Sequence, residues 1–385
     1  MEPMAKIRKI RKKRFLILSA GGPQSGIQGI YIGVEGDFWE LITHANLPYP
    51  DAVEQLVEEA TQSAGARFEL KRIAWLDQRM SFLFLECAKM ALAQAHKSLR
   101  QPHVVVMNKF ALYNGLCGEG NEAKPWVIEL GDGQLVASAY RVPVITDFGL
   151  HAAGAGVPFT LPLFPGTLKI SKHTEPISLY LNIGLISHLT IVDNQAMLTV
   201  LDSDVGPGTC LINMAAREAG CPDGFDRDGS QAALGKVDST VLETLCAQQW
   251  FVRPPPKQGF FQDFIPLFSH ESVQRLAPCD KIATLTALTA RSAFEFFKRE
   301  YRQVVSPEVV WVSGGGANSL TLLDYLSTYF EPIKIKSVEE SGIPSALRVP
   351  LALGLTVHEY IMGHKGPWKA ETDSGTNGIG TWIYP

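Results

Sequence analysis

One strand pattern occurs twice in this chain, and it restricts the fold more than any other feature of the sequence. The first copy begins with an apolar run, Phe15 to Ala20, followed by a glycine-rich loop, Gly21-Gly22-Pro23-Gln24-Ser25-Gly26. A second run spans about Gly29 to Glu35, turns at Gly36-Asp37 and returns from Phe38 to His44. The second copy runs from Ile177 to Ile183, turns at Gly184, continues to Val192, turns at Asp193-Asn194 and returns from Ala196 to Leu201. Short β-branched runs separated by turn residues are the signature of antiparallel meanders. Each copy is followed by helical patterns and further apolar runs, so the duplication predicts two related lobes with a cleft between them.

Around the second copy the motifs become specific. In chain order they are Thr146-Asp147-Phe148, Leu181-Asn182-Ile183-Gly184, Asp204-Val205-Gly206-Pro207-Gly208, Phe225-Asp226-Arg227-Asp228-Gly229 with Gly235-Lys236-Val237, Pro255-Pro256-Lys257, Gly314-Gly315-Gly316-Ala317-Asn318 and Ser341-Gly342-Ile343-Pro344. A single Gly-Gly-Gly says little, because any tight turn gives one. The ordered set resembles the anhydro-sugar kinases, the family of anhydro-N-acetylmuramic acid kinase and levoglucosan kinase. The resemblance implies an α/β, two-lobe actin-like sugar kinase fold, a duplicated RNase H-like unit with a central cleft. A fold hosts several functions, so activity has to be argued from the site.

Composition narrows the remainder. At 385 residues the chain has room for two full cores. A net charge of −4 gives no basic field for nucleic acid. Residues 1–14 depart from that balance, with Lys6, Arg8, Lys9, Arg11, Lys12, Lys13 and Arg14 close together; they read as a frayed basic leader. The run that follows is too short to span a membrane. The six cysteines form no Cys-x-x-Cys pair and lie near no histidine at ligand spacing. Reduced thiols in a cytoplasmic protein, without structural zinc, are expected.

The expected division is lobe one over 15–166, lobe two over 167–364 and a tail over 365–385. Helices are expected over Asp51 to Ser63, Leu76 to Leu99, Thr209 to Glu218, Asp280 to Tyr301, Ser319 to Thr328 and Pro344 to Met362, with Asp280 as an N-cap. Asn114 to Pro125 is rich in Gly and Asn and reads as a loop.

The resemblance makes Asp147 the general base. It would activate a water that attacks the anomeric carbon of an anhydro ring while the freed oxygen takes a phosphoryl group, which needs a carboxylate within hydrogen-bond reach of the water. The bland alternative is a turn cap. Further along, the family's Arg and Asp are missing, and His151 is the polar residue left in that stretch. The family's Ser-His-Gly-Gln-Thr segment reads Asn108-Lys109-Phe110-Ala111-Leu112, and its Gly-Arg-Glu reads Gly259-Phe260-Phe261. Asn108, His151, Phe260 and Phe261 are therefore the candidate substrate contacts, in a pocket more apolar than a sugar site.

The nucleotide side departs further. The family's Ser-Gly-Thr-Ser-x-Asp-Gly loop aligns with Pro23 to Gly29, which puts Gln28 in place of a metal-site carboxylate; Val349 stands where a second one belongs. Leu185 and His188 replace the Gly and Asn of the second turn. If a nucleotide is held, Gly26, Gly29, Gly184, Asp204, Gly206, Gly208, Gly315, Gly316 and Asn318 are the candidates, with no protein metal ligand expected. Losing both carboxylates is a serious defect for phosphoryl transfer. The favoured reading is an enzyme that has given up ATP and uses Asp147 on a small ring compound for opening, cyclisation or isomerisation. A genuine ATP- and Mg²⁺-dependent 1,6-anhydrosugar kinase is the second, and a non-catalytic binding protein the third. A small-molecule substrate, no nucleic-acid or membrane partner and, by the resemblance, a homodimer complete the expectations.

Overall fold

The computed structural model describes residues 6–23, 25–62, 68–117, 124–149, 175–196, 198–341, 343–363 and 379–385. The chain forms two compact units, one of Met1–Ser171 with Val349–Pro385, the other of Lys172–Arg348. This differs from the expected division, which left residues 349–364 with lobe two.

In the first unit the sheet is built from β1 (Lys13–Ala20), β2 (Ile27–Glu35), β3 (Phe38–Leu47), β4 (Val104–Asn108) and β7 (Val144–Thr146), with β13 (Thr381–Ile383) at its edge. The order is β13-β7-β4-β1-β2-β3. β1, β2 and β3 form the expected meander, while β4 joins β1, and β7 joins β4, in parallel. One face, with Leu16, Leu18 and Tyr31, packs on helices α1 (Asp51–Gln62), α2 (Leu70–Ala93) and α3 (Gly133–Tyr140). The other face receives α7 (Arg348–Met362): a Cβ on Gly354 would lie 2.5 Å from Ile17, and the His358 ring stands edge-on to Phe15 at 5.8 Å. These contacts with β1 draw the last helix into the first unit. Pro350 sits in its first turn, where a missing N–H costs little.

Two expectations fail here. The Gly- and Asn-rich stretch is not a simple loop, since β5 (Phe110–Cys117) and β6 (Lys124–Leu130) pair antiparallel across it. Residues 6–14 are not a frayed leader either: Lys13 and Arg14 start β1, Arg11 pairs with Glu35, Lys12 pairs with Glu40 at 2.8 Å, and Arg8 donates to the Ile361 carbonyl.

In the second unit β8 (Ile177–Ile183), β9 (Ser187–Asp193), β10 (Leu198–Gly206), β11 (Val309–Ser313) and β12 (Lys334–Ser337) take the order β10-β9-β8-β11-β12. The meander is again antiparallel, and β11 and β12 again add in parallel. Numbered by their own strands, the second sheet reads 3-2-1-4-5 and the first reads the same with β13 added at its edge, so the duplication is real and the architecture is the duplicated RNase H-like fold of actin-like sugar kinases. Leu179, Leu181 and Ile183 face α5 (Pro278–Glu300) and α6 (Leu320–Phe330), whose Phe297 and Phe330 stack at 5.9 Å. α4 (Cys210–Glu218) follows β10. Asp280 is not an N-cap: Ala277 precedes α5, and the Asp280 carboxylate accepts the Lys236 N–H at 2.7 Å. Among the described residues no helix is long and apolar enough to cross a membrane, and Cys87, Cys210, Cys221, Cys246 and Cys279 are free thiols.

Candidate functional site

Strand register carries the candidate residues to matching places in the two sheets. In the first unit Ser19, at the carboxyl end of β1, lies opposite Gln28 on β2 and Asn108 on β4, and Gln28 lies opposite Asn46 on β3. In the second unit Asn182 lies opposite His188 on β9 and Ser313 on β11, and His188 lies opposite Asp204 on β10. Each sheet therefore has a polar row across its strands at the carboxyl end of the parallel ones, where open α/β sheets bind ligands. Asn108 Nδ2 donates to Ser19 Oγ at 3.0 Å, and Ser313 Oγ donates to Asn182 Oδ1 at 3.1 Å.

Asp147 follows the last residue of β7, one step past Thr146. Its φ is +58°, a left-handed conformation that Asp tolerates better than most residues. Strained backbone of this kind gathers at functional sites. Its Oδ1 meets Lys109 Nζ at 2.6 Å, with the two side chains only 18% and 16% exposed. The sequence marked Asp147 and Asn108; it did not single out Lys109, whose partner is remote in the chain. His151 lies outside the described residues.

The glycines separate into two groups when a Cβ is placed on each. At Gly26 it would lie 2.2 Å from the Leu47 carbonyl, at Gly29 2.9 Å from Cys87 Sγ, at Gly206 2.1 Å from Ser292 Oγ, at Gly208 2.4 Å from the Gly184 carbonyl, and at Gly316 2.4 Å from Ile183. These five are needed by the protein's own packing. Gly184 meets nothing closer than 3.6 Å and Gly315 nothing within 4 Å. Gly315 is exposed, as is Asn318, so that turn is open to a ligand. The turn before α4 is less available than expected, since the Thr209 N–H donates to Gly184 O at 2.8 Å and the Cys210 N–H to Leu185 O at 3.2 Å.

Asp204 is locked. His188 Nδ1 approaches Asp204 Oδ1 at 2.8 Å, His188 Nε2 approaches Asp202 Oδ1 at 2.6 Å, and Asp204 Oδ2 accepts the Gly259 N–H at 2.8 Å. Burial alone would push the His188 pKa down; the charges and hydrogen bonds of Asp202 and Asp204 outweigh it and hold it up at about 10. Burial likewise raises the Asp202 pKa, but His188 wins and the net shift is downward. The buried Arg348 guanidinium stacks over the Tyr180 ring at 4.8 Å and adds positive charge beside Asp202. Asp204 thus braces the end of β10 against the loop at Gly259, a structural duty the sequence did not reveal.

Phe260 and Phe261 lie at the start of one helix. Phe261 packs against the helical core that includes Trp250 and Phe264, because it opens the helix Phe261–Phe268. Phe260 is half-buried at that helix start, with its N–H donating to Asp263 Oδ2 at 2.8 Å. Nearby, Lys257 lies over the Trp250 and Phe296 rings at 4.5 and 4.6 Å, and burial pushes its pKa down to about 8.

Known proteins resemble this chain along most of its length. The curated anhydro-N-acetylmuramic acid kinase of Ralstonia nicotianae is 26% identical over 97% of each chain. The one from Salinibacter ruber is 26% identical over 94% of each. Among solved structures, component A of the Acidaminococcus fermentans (R)-2-hydroxyglutaryl-CoA dehydratase overlaps 91% of this chain and 99% of its own, at 11% identity and a TM-score of 0.46. The profile described as anhydro-N-acetylmuramic acid kinase matches residues 13–381, and the chain belongs to that family.

Proposed function

We propose that this protein is an ATP-dependent kinase of a 1,6-anhydro sugar. Asp147 takes a proton from a water that attacks the anomeric carbon, the anhydro bridge opens, and the freed oxygen takes the terminal phosphoryl group of ATP. The observation that carries this reading is Asp147 itself, a left-handed carboxylate at the strand end, paired with Lys109. Similarity to kinases along nearly the full length of both chains supports it. A carboxylate in reach of a water and partly shielded from solvent suits a general base. The open face of Gly315 suits a nucleotide passing close to the backbone.

Mg²⁺ would neutralise charge on the transferring phosphoryl group. Gln28 offers one oxygen at the row of the first unit and Val349 offers none, so the ion would be held chiefly by phosphate oxygens and water, as Mg²⁺ often is. The same exchange favours a second reading, in which Asp147 acts on a ring compound without ATP. A calorimetric titration with Mg²⁺-ATP, followed by an assay of ADP release with 1,6-anhydro sugars, separates the two. Heat of binding and sugar-dependent ADP support the kinase; neither one leaves the ATP-free enzyme. A cytoplasmic location and a homodimer belong to the same proposal.

A further inference from the structure

Lys109 stands where the family's Ser-His-Gly-Gln-Thr segment has its histidine, and its sequence neighbours, Asn108 and Phe110, give it no motif. It follows the end of β4 as Asp147 follows the end of β7, and these strands are paired in parallel with Val106 opposite Ile145. The two side chains are thus delivered by the register of the sheet rather than by a loose loop. They meet at 2.6 Å and are mostly buried.

We propose that Lys109 is a positioning residue for Asp147, holding Oδ1 so that Oδ2 is the oxygen that takes the proton from the attacking water; the role rests on the kinase reading above. An ammonium has three hydrogens to donate and no lone pair. It binds one carboxylate oxygen and cannot compete for the proton that the other receives. The left-handed backbone turns the Asp147 side chain out of the usual strand-end direction, and the ion pair fixes it there. A misplaced base loses rate steeply, because general-base catalysis depends on reach and alignment. A pair kept only for stability would behave differently, since its loss would lower the melting temperature and leave turnover per folded molecule intact.

The test uses K109M, K109R, D147N and the double variant K109M/D147N, assayed by ADP release with a 1,6-anhydro sugar and Mg²⁺-ATP. K109Q replaces K109M if the latter does not fold. K109M is expected to lose roughly tenfold to a hundredfold in kcat, within the range a general base supplies, with KM for the sugar nearly unchanged. K109R is expected to recover most of that loss, because a guanidinium can also bind the carboxylate. The double variant is expected to be no slower than D147N, since Lys109 acts through Asp147. Full kcat in K109M, a rise in KM alone, or losses that multiply in the double variant would each overturn the role while leaving the kinase reading in place. A folded wild-type chain that turns over no anhydro sugar would overturn the kinase reading and this role together.

Discussion

Replacing His188 with Asn restores the residue type that the resemblance assigns to that position, and it should destabilise this protein. His188 makes contacts of 2.8 and 2.6 Å to two carboxylates, and the side chains of His188, Asp202 and Asp204 are 18%, 27% and 13% exposed. Asn carries no charge and keeps at most one of these bonds. A hydrogen bond to a charged group contributes about 1.5–3 kcal/mol, and removing one partner from a buried pair costs about 3–5 kcal/mol. Partial exposure favours the lower end, about 3 kcal/mol. For a unit the size of Lys172–Arg348 that corresponds to a melting shift of roughly 6–12 °C. The pH dependence is the sharper signature. Folded His188 keeps its proton to about pH 10, whereas a free histidine releases it near about 6.5. Its stabilisation is fully present below the lower value and is lost as pH rises through the upper one, by at most about 1.4 kcal/mol per unit. Scanning calorimetry of wild type and H188N from pH 6 to 9.5 should show a gap that narrows with rising pH. A gap under 2 °C at pH 6 (about 0.5–1 kcal/mol at this size), or one that widens with pH, would refute the reasoning.

Three further outcomes follow from the site. D147N keeps the shape but removes the base, so turnover should fall roughly a hundredfold or more; it also leaves the mostly buried Lys109 ammonium without its charged partner, so the melting temperature should fall modestly while the protein stays folded, read by ADP release and calorimetry. G316A forces a methyl group against Ile183 and should cost about 1–3 kcal/mol, whereas G315A enters open space and should leave stability alone while raising the apparent KM for ATP in steady-state kinetics. The double substitution Q28D/V349E supplies two hard oxygen ligands, and titration calorimetry should show tighter Mg²⁺-dependent ATP binding than in the wild type.

The duplicated meanders were legible because strand and turn chemistry are local: β-branched runs end at Gly21, Gly36 and Gly184. Helices α1 and α4 were placed within a residue or so for the same reason. What escaped the sequence is what long-range contact decides. The β5–β6 hairpin draws Asn114, Gly115, Lys124 and Pro125, residues of poor strand propensity, into its strands, which pairing organises. The last helix joined the first unit through Ile17 and Phe15, more than 300 residues away in the chain. Asp147 could be marked in advance, but Lys109 could not, because only the β4–β7 register brings them together. An aromatic replacing a charge gives no sign of which way it faces; in the structure Phe261 is half-buried and packs against the helical core. Most of the conspicuous glycines serve packing, and only their surroundings distinguish Gly315 from Gly316.

The most direct test of the kinase reading is to incubate the purified protein with ATP, Mg²⁺ and either anhydro-N-acetylmuramic acid or levoglucosan, and follow the products by phosphorus NMR and mass spectrometry. The expected result is one ADP per sugar consumed, with a ring-opened sugar phosphate that D147N fails to make. Consumption of neither substrate by folded protein, or ring opening without ADP, would contradict it.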